Sequence, residues 1–81
     1  MLYELSDEEL ARRGQAGDRQ AFGALIDRYW PRVFRWLVGL ARSTQTAEDI
    51  AQDTFLKAWR GLAAFSPGTS FRAWVFRIAH N

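Results

Sequence analysis

Residues 46–65 read TAEDIAQDTFLKAWRGLAAF, and this stretch decides the fold. On a wheel of 100° per residue, Ala47, Ile50, Ala51, Thr54, Phe55, Ala58 and Leu62 fall in one sector with Trp59 at its edge, which predicts an amphipathic helix lying on a core. Thr46 is read as its cap, with Glu48 and Asp49 in the first turn, where negative charge meets the positive end of the helix dipole. The helix is expected to end around Leu62. Its far side carries Asp49, Gln52, Asp53 and Arg60, with Leu56 near the centre. An apolar side chain ringed by acids and an amide has the anatomy of a binding anchor with a polar rim. A lone surface leucine is nevertheless common, and taken alone these residues favour that plainer reading.

Downstream, Ala63 to Thr69 contains the pair Pro67-Gly68, which predicts a turn that ends helical structure. Ser70 then caps a helix running from Phe71 to the end of the chain, with Phe71, Trp74, Val75, Ile78 and Ala79 as its core stripe and Arg72, Phe76, Arg77 and His80 off it. The connecting loop offers an aromatic edge at Phe65 and small hydrogen-bonding groups at Ser66, Thr69 and Ser70, beside Lys57, Arg60, Arg72 and Arg77. Unstacked bases are bound with that chemistry, since cations hold phosphates while a pocket takes the base.

Upstream, Ser6-Asp7-Glu8-Glu9 has capping-box spacing, and Gly17 suits a left-handed helix end, so a first helix spans about Ser6 to Ala16. A second begins after Asp18 and reaches about Ala41, with Phe22, Leu25, Ile26, Tyr29, Val33, Trp36, Leu37 and Leu40 as one apolar stripe. Pro31 lies inside it, which predicts a kink or a bend toward solvent. With no run of alternating β-branched residues, the chain reads as an all-α bundle of about four helices, a single domain over 1–81. The end at Asn81 reads as a fragment cut from a longer protein.

Composition narrows the function. The 81 residues are 48% hydrophobic and 15% aromatic, enough for a thin core that depends on its rings. Zero Cys and one His argue against disulfides, a zinc site and a catalytic triad, so no cofactor, no metal ligand and no catalytic residue is assigned. No apolar run reaches the roughly 18 residues of a membrane span, and the N-terminus is acidic where a signal peptide would be basic. A non-enzymatic cytoplasmic domain follows as the expectation. Charge is polarised: residues 1–53 set seven Arg against all nine acids, while residues 54–81 carry Lys57, Arg60, Arg72 and Arg77 with no acid. Interleaved with aromatics, such a basic end fits either a nucleic-acid surface or a solvated face about equally.

Two runs carry a resemblance. Ala-Glu-Asp-x-x-Gln-Asp-x-Phe-x-x-Ala-Trp begins at Ala47, and Phe-x-x-Trp-x-x-x-Ile-Ala-x-Asn runs from Phe71 to Asn81. With the Gly-Asp-x-x-Ala-Phe step from Gly17 to Phe22, they resemble the second conserved domain of bacterial RNA polymerase sigma factors, specifically the extracytoplasmic-function group. The resemblance covers nearly the whole chain. It implies docking on the β′ coiled coil of core polymerase through Glu48, Asp49, Gln52, Asp53 and Leu56. It also implies recognition and melting of the promoter −10 element, with capture of a non-template-strand base, by Phe65, Ser66, Thr69, Ser70, Phe71, Arg72, Arg77 and Asn81, with Lys57 and Arg60 beside them. A helix-turn-helix domain reading the −35 element normally accompanies this domain and is absent from these residues; an anti-sigma protein commonly holds such factors inactive. The alternative is a helical protein-interaction module, an adaptor or anti-sigma target without DNA contact, which would keep the Leu56 surface and not depend on the basic face.

Overall fold

The computed structural model describes residues 1–81, which form four α-helices and no strand. They are α1 (Asp7–Gln15), α2 (Arg19–Leu40), α3 (Thr44–Gly61) and α4 (Phe71–His80), with short 3-10 turns at Leu2–Glu4 and Leu62–Ala64. The spine is α2, against which α1, α3 and α4 all pack.

Each start has a side-chain cap. The Ser6 hydroxyl accepts the Glu9 N–H, Asp18 accepts from Gln20 and Ala21, and Ser70 accepts from Ala73, as the sequence suggests. The third start differs from expectation. Ser43, not Thr46, is the cap: its hydroxyl accepts the Thr46 N–H at 3.1 Å and donates to Thr46 Oγ1 at 2.8 Å. The helix therefore opens at Thr44, and Glu48 and Asp49 lie beyond its first turn. α2 passes Pro31 without a break; the proline is exposed, so the carbonyl it leaves without a partner faces water.

Leu10, Leu25, Val33, Phe71 and Val75 are fully enclosed at the centre. Rings bind the layers together: Phe22 meets Trp59 at 5.0 Å and Phe71 at 6.4 Å, and Phe65 meets Phe71 at 5.6 Å and Trp74 at 5.0 Å. Gly14 allows α1 to approach the Leu62–Ala64 turn, because a Cβ there would stand 2.9 Å from Leu62 Cδ2. Gly17, at φ 100°, makes the left-handed exit from α1 that other residues resist. Two stripe assignments fail. Leu40, in the last turn of α2, is 66% exposed, and Ile50 is 38% exposed where α3 borders an open hollow.

The α1–α2 seam is polar and internally paired. Arg28 donates to Asp7 at 2.6 Å and to the Tyr3 and Leu5 carbonyls, while the buried Tyr29 hydroxyl donates to the other Asp7 oxygen. Burial, then the Asp7 carboxylate, pushes the Tyr29 pKa up to about 12. On the outer edge Tyr3 donates to Asp27, and that bond raises its pKa.

Candidate partner and nucleic-acid surfaces

α3 borders two separate hollows. Glu48, Asp49, Gln52, Asp53 and Leu56 are all exposed, with Leu56 at 46% and Asp49 accepting a hydrogen bond from Gln45 at 3.0 Å. Leu56 is not alone. It and Gln52 edge a shallow groove between α2 and α3 whose walls are Phe22, Ile26, Trp30, Phe55 and Trp59. The Trp30 ring is held by Phe34, stacked at 6.3 Å, and by Phe55 at 5.8 Å, so this wall is prearranged. The sequence marked Ile26 and Trp59 for the core and passed over Trp30 and Phe34, since a wheel for one helix does not show where a neighbouring helix leaves a gap. Asp53 lies at the edge of this surface, toward a second hollow. It pairs with Lys57 at 2.9 Å, and both border that hollow with Ile50, Ile78, His80 and Asn81.

The loop after α3 is anchored at its start and exposed beyond it. Phe65 and Phe71, both expected to touch a nucleic acid, are 4% and 2% exposed. Their burial speaks against direct contact: the rings pack on each other and on Trp74, so they form the floor under the loop. Ser66, Gly68, Thr69 and Ser70 are exposed above them. A turn ties Ser66 to Thr69, whose N–H and hydroxyl both donate to the Ser66 carbonyl, at 2.9 and 2.7 Å. The Ser70 hydroxyl is occupied by the α4 cap. A second tie was invisible in the sequence. The Gln15 amide, from the last turn of α1, donates to the Leu62 carbonyl at 2.9 Å and to the Phe65 carbonyl at 2.6 Å.

Along α4, Arg72, Arg77 and Asn81 are exposed, and neither arginine has a carboxylate within ion-pair distance. Arg72 lies 6.0 Å above the Phe76 ring, which meets Trp36 edge-on at 5.8 Å; Trp36 in turn stacks on His80 at 5.9 Å. Arg72 thus sits over a row of half-buried rings, while Arg77, five residues on, projects from another side of α4. Lys57 borders the Asn81 hollow, whereas Arg60 borders a different depression, beside Gly14, Gly17, Leu62 and Ala63. The expected cations are thus distributed over more than one side. No group of His, Asp and Glu is arranged to hold a metal ion, and no helix is long and apolar enough to cross a membrane.

Known proteins resemble this arrangement closely. The Sigma-70 region 2 family profile matches residues 25–81. The RNA polymerase sigma-H factor of Pseudomonas aeruginosa is 37% identical over all 81 residues, which cover 42% of that protein. The RNA polymerase sigma factor NccH of Alcaligenes xylosoxydans xylosoxydans is 46% identical over 75 residues, 93% of this chain and 40% of that one. The chain thus spans about two-fifths of the length of these relatives. Among solved structures, an engineered region 2 of sigmaE in complex with GTAAAA superposes with a TM-score of 0.89 at 36% identity, covering 96% of this chain and 81% of that one. CnrH in complex with the cytosolic domain of CnrY gives 0.89 and 36%, covering 93% and 49%.

Proposed function

The chain belongs to the sigma-70 region 2 family, as region 2 of an extracytoplasmic-function sigma factor, and from that premise we propose that it docks on core RNA polymerase and opens the promoter −10 element. The observation that carries the reading is the separation of its two surfaces. The groove edged by Leu56 and Gln52, with Glu48 and Asp49 on the same helix, offers an apolar seat and negative charge to a basic helical partner, the β′ coiled coil. The loop offers exposed hydroxyls and α4 the unpaired Arg72, over the Phe76 ring, and Arg77, which suits a nucleic-acid strand. The relative bound to GTAAAA supports an A-rich base sequence as the ligand of that second surface.

Strand opening is then a binding effect. A non-template base that leaves the duplex gains contacts with the exposed Ser66–Ser70 segment, while Arg72, Arg77 and Asn81 hold the backbone beside it. Those contacts offset the few kcal/mol of lost pairing and stacking, and the polymerase carries out the chemistry. We place its work in the bacterial cytoplasm, and the complex of CnrH with the cytosolic domain of CnrY supports a regulatory protein, an anti-sigma factor, as a further candidate partner.

The test is a fluorescence competition with the domain assembled on core polymerase and the four bases placed in turn at each −10 position. The expected result is a preference at one position that is erased by Ser66→Ala combined with Thr69→Val. Ser70 is left in place because its hydroxyl caps α4. Undiminished preference in that double variant would move base reading to α4 near Arg77 and Asn81. No preference at any position in the wild type would reject base capture and favour the interaction module.

A further inference from the structure

We propose that Gln15 is a positioning residue for base selection, an inference that rests on the reading of the 66–70 loop as the base reader. The side chain lies 47 and 50 residues from the carbonyls it binds, those of Leu62 and Phe65. These carbonyls bracket the place where helical hydrogen bonding ends, at the 3-10 turn that follows α3. Both bonds leave from the one Nε2, whose two hydrogens sit in a fixed plane. A lysine would bring a charge into this half-buried seat, and a glutamate would turn two acceptors toward two acceptors. The distance is set by Gly14, whose missing Cβ lets Leu62 close on α1.

The geometry also says what the two bonds control. Phe65 is the last residue of the connection with a buried side chain, held by Phe71 and Trp74. Its carbonyl is held by Gln15. From there to the Ser70 cap the hydrogen bonds are those of the local Ser66–Thr69 turn, which fixes the shape of the loop and not its direction. Residues 66–70 are therefore held at one end by Phe65, through its ring from below and α1 from the side, and at the other by the Ser70 cap and the enclosed Phe71, so the Gln15 bonds set the near end of the loop. Without the amide, the peptide after Phe65 can rotate, and the loop then samples several directions at little energetic cost.

Gln15→Glu and Gln15→Met keep the length of the side chain and remove its donors. With either variant assembled on core polymerase, the preference for the favoured base should fall by about fivefold or more, the scale expected for one lost hydrogen bond, while affinity for a strand lacking that base changes by less than about twofold. Val33→Ala, in the α2 core and away from the loop, supplies a destabilised control that should retain the full preference. In the free chain, hydrogen exchange at the Phe65 amide, which donates to the Leu62 carbonyl that Gln15 also holds, should quicken in both Gln15 variants and stay unchanged at the α2 core amides. Preference retained in Gln15→Glu, an equal loss of preference in Val33→Ala, or unaltered Phe65 exchange would each overturn the positioning role. A wild type with no preference at any position would instead show that the loop reading has failed, leaving Gln15 an anchor with no part in selection.

Discussion

The α1–α2 half joins its two helices with an ion pair, Arg28 to Asp7, and the α3–α4 half has none between its helices. In the first, Arg12 pairs with Glu8 and Arg13 with Glu9 along α1, and Arg28 with Asp7 across the seam, while Arg19, Arg32 and Arg35 have no carboxylate partner. The second half has one exposed pair, Asp53 with Lys57, and leaves Arg60, Arg72 and Arg77 without a carboxylate partner. Paired charges at a seam fix how helices meet, whereas unpaired charges on a surface are available to something else. The arginines of the first half share residues 1–41 with six acids, whereas residues 54–81 hold no acid at all.

Adjacent residues in α4 break the comparison most sharply. Phe71 is enclosed and Arg72 is exposed, so Phe71→Ala should lower stability by about 3 to 5 kcal/mol while Arg72→Ala changes it by less than about 0.5 kcal/mol. Urea unfolding followed by circular dichroism measures both. Equal effects would mean that Phe71 is not a core residue.

Tyr29 offers a pH-dependent version for the seam. Its folded pKa of about 12 lies above its ordinary value of 10.0, so the neutral phenol is favoured by folding. That contribution, about 2 to 3 kcal/mol, is complete below pH 10 and is lost as the pH rises toward 12. Melting temperatures recorded across this window should fall in the wild type and fall less in Tyr29→Phe. Parallel curves would remove Tyr29 as the cause.

On the groove, Leu56→Asp or Gln52→Ala should weaken docking to the β′ coiled coil by roughly 1 to 3 kcal/mol and leave the helical spectrum unchanged, because both side chains are exposed. Calorimetric titration reads the loss, and unchanged affinity in both variants would vacate this surface. The smallest effect belongs to the cations. Each of Arg72→Ala and Arg77→Ala should flatten the log–log salt dependence of single-strand binding by about 0.7, and Arg12→Ala, whose charge is spent on Glu8, should not. Binding that ignores salt would favour a domain without nucleic-acid contact.

Much of this was legible in the chain because helices and caps are local. Ser6, Asp18 and Ser70 announced three starts, and Gly17 announced an end. The α3 start was misplaced because Ser43 and Thr46 offer similar hydroxyls three residues apart, and the first of them takes the cap. The two surfaces were only partly readable. Leu56 and Gln52 stood out on one helix, but the Trp30 and Ile26 wall beside them comes from α2, and no wheel of α3 contains it. Phe65 and Phe71 looked like reading rings because the chain places them beside polar loop residues; their mutual packing with Trp74 buries them, which speaks against direct contact.

The sequence by itself determined the helices, their order, the polarised charge and the family, since each follows from local spacing or from motifs read along the chain. Tertiary structure decided which apolar side chains stay exposed, how the α3 face divides between Leu56 and Asp53, and which distant side chain holds the loop. Those outcomes depend on where a neighbouring helix covers or leaves open a given face. The Gln15 amide reaches Leu62 and Phe65 because Gly14 lets α1 close on that turn, and this proximity exists only after the chain has folded.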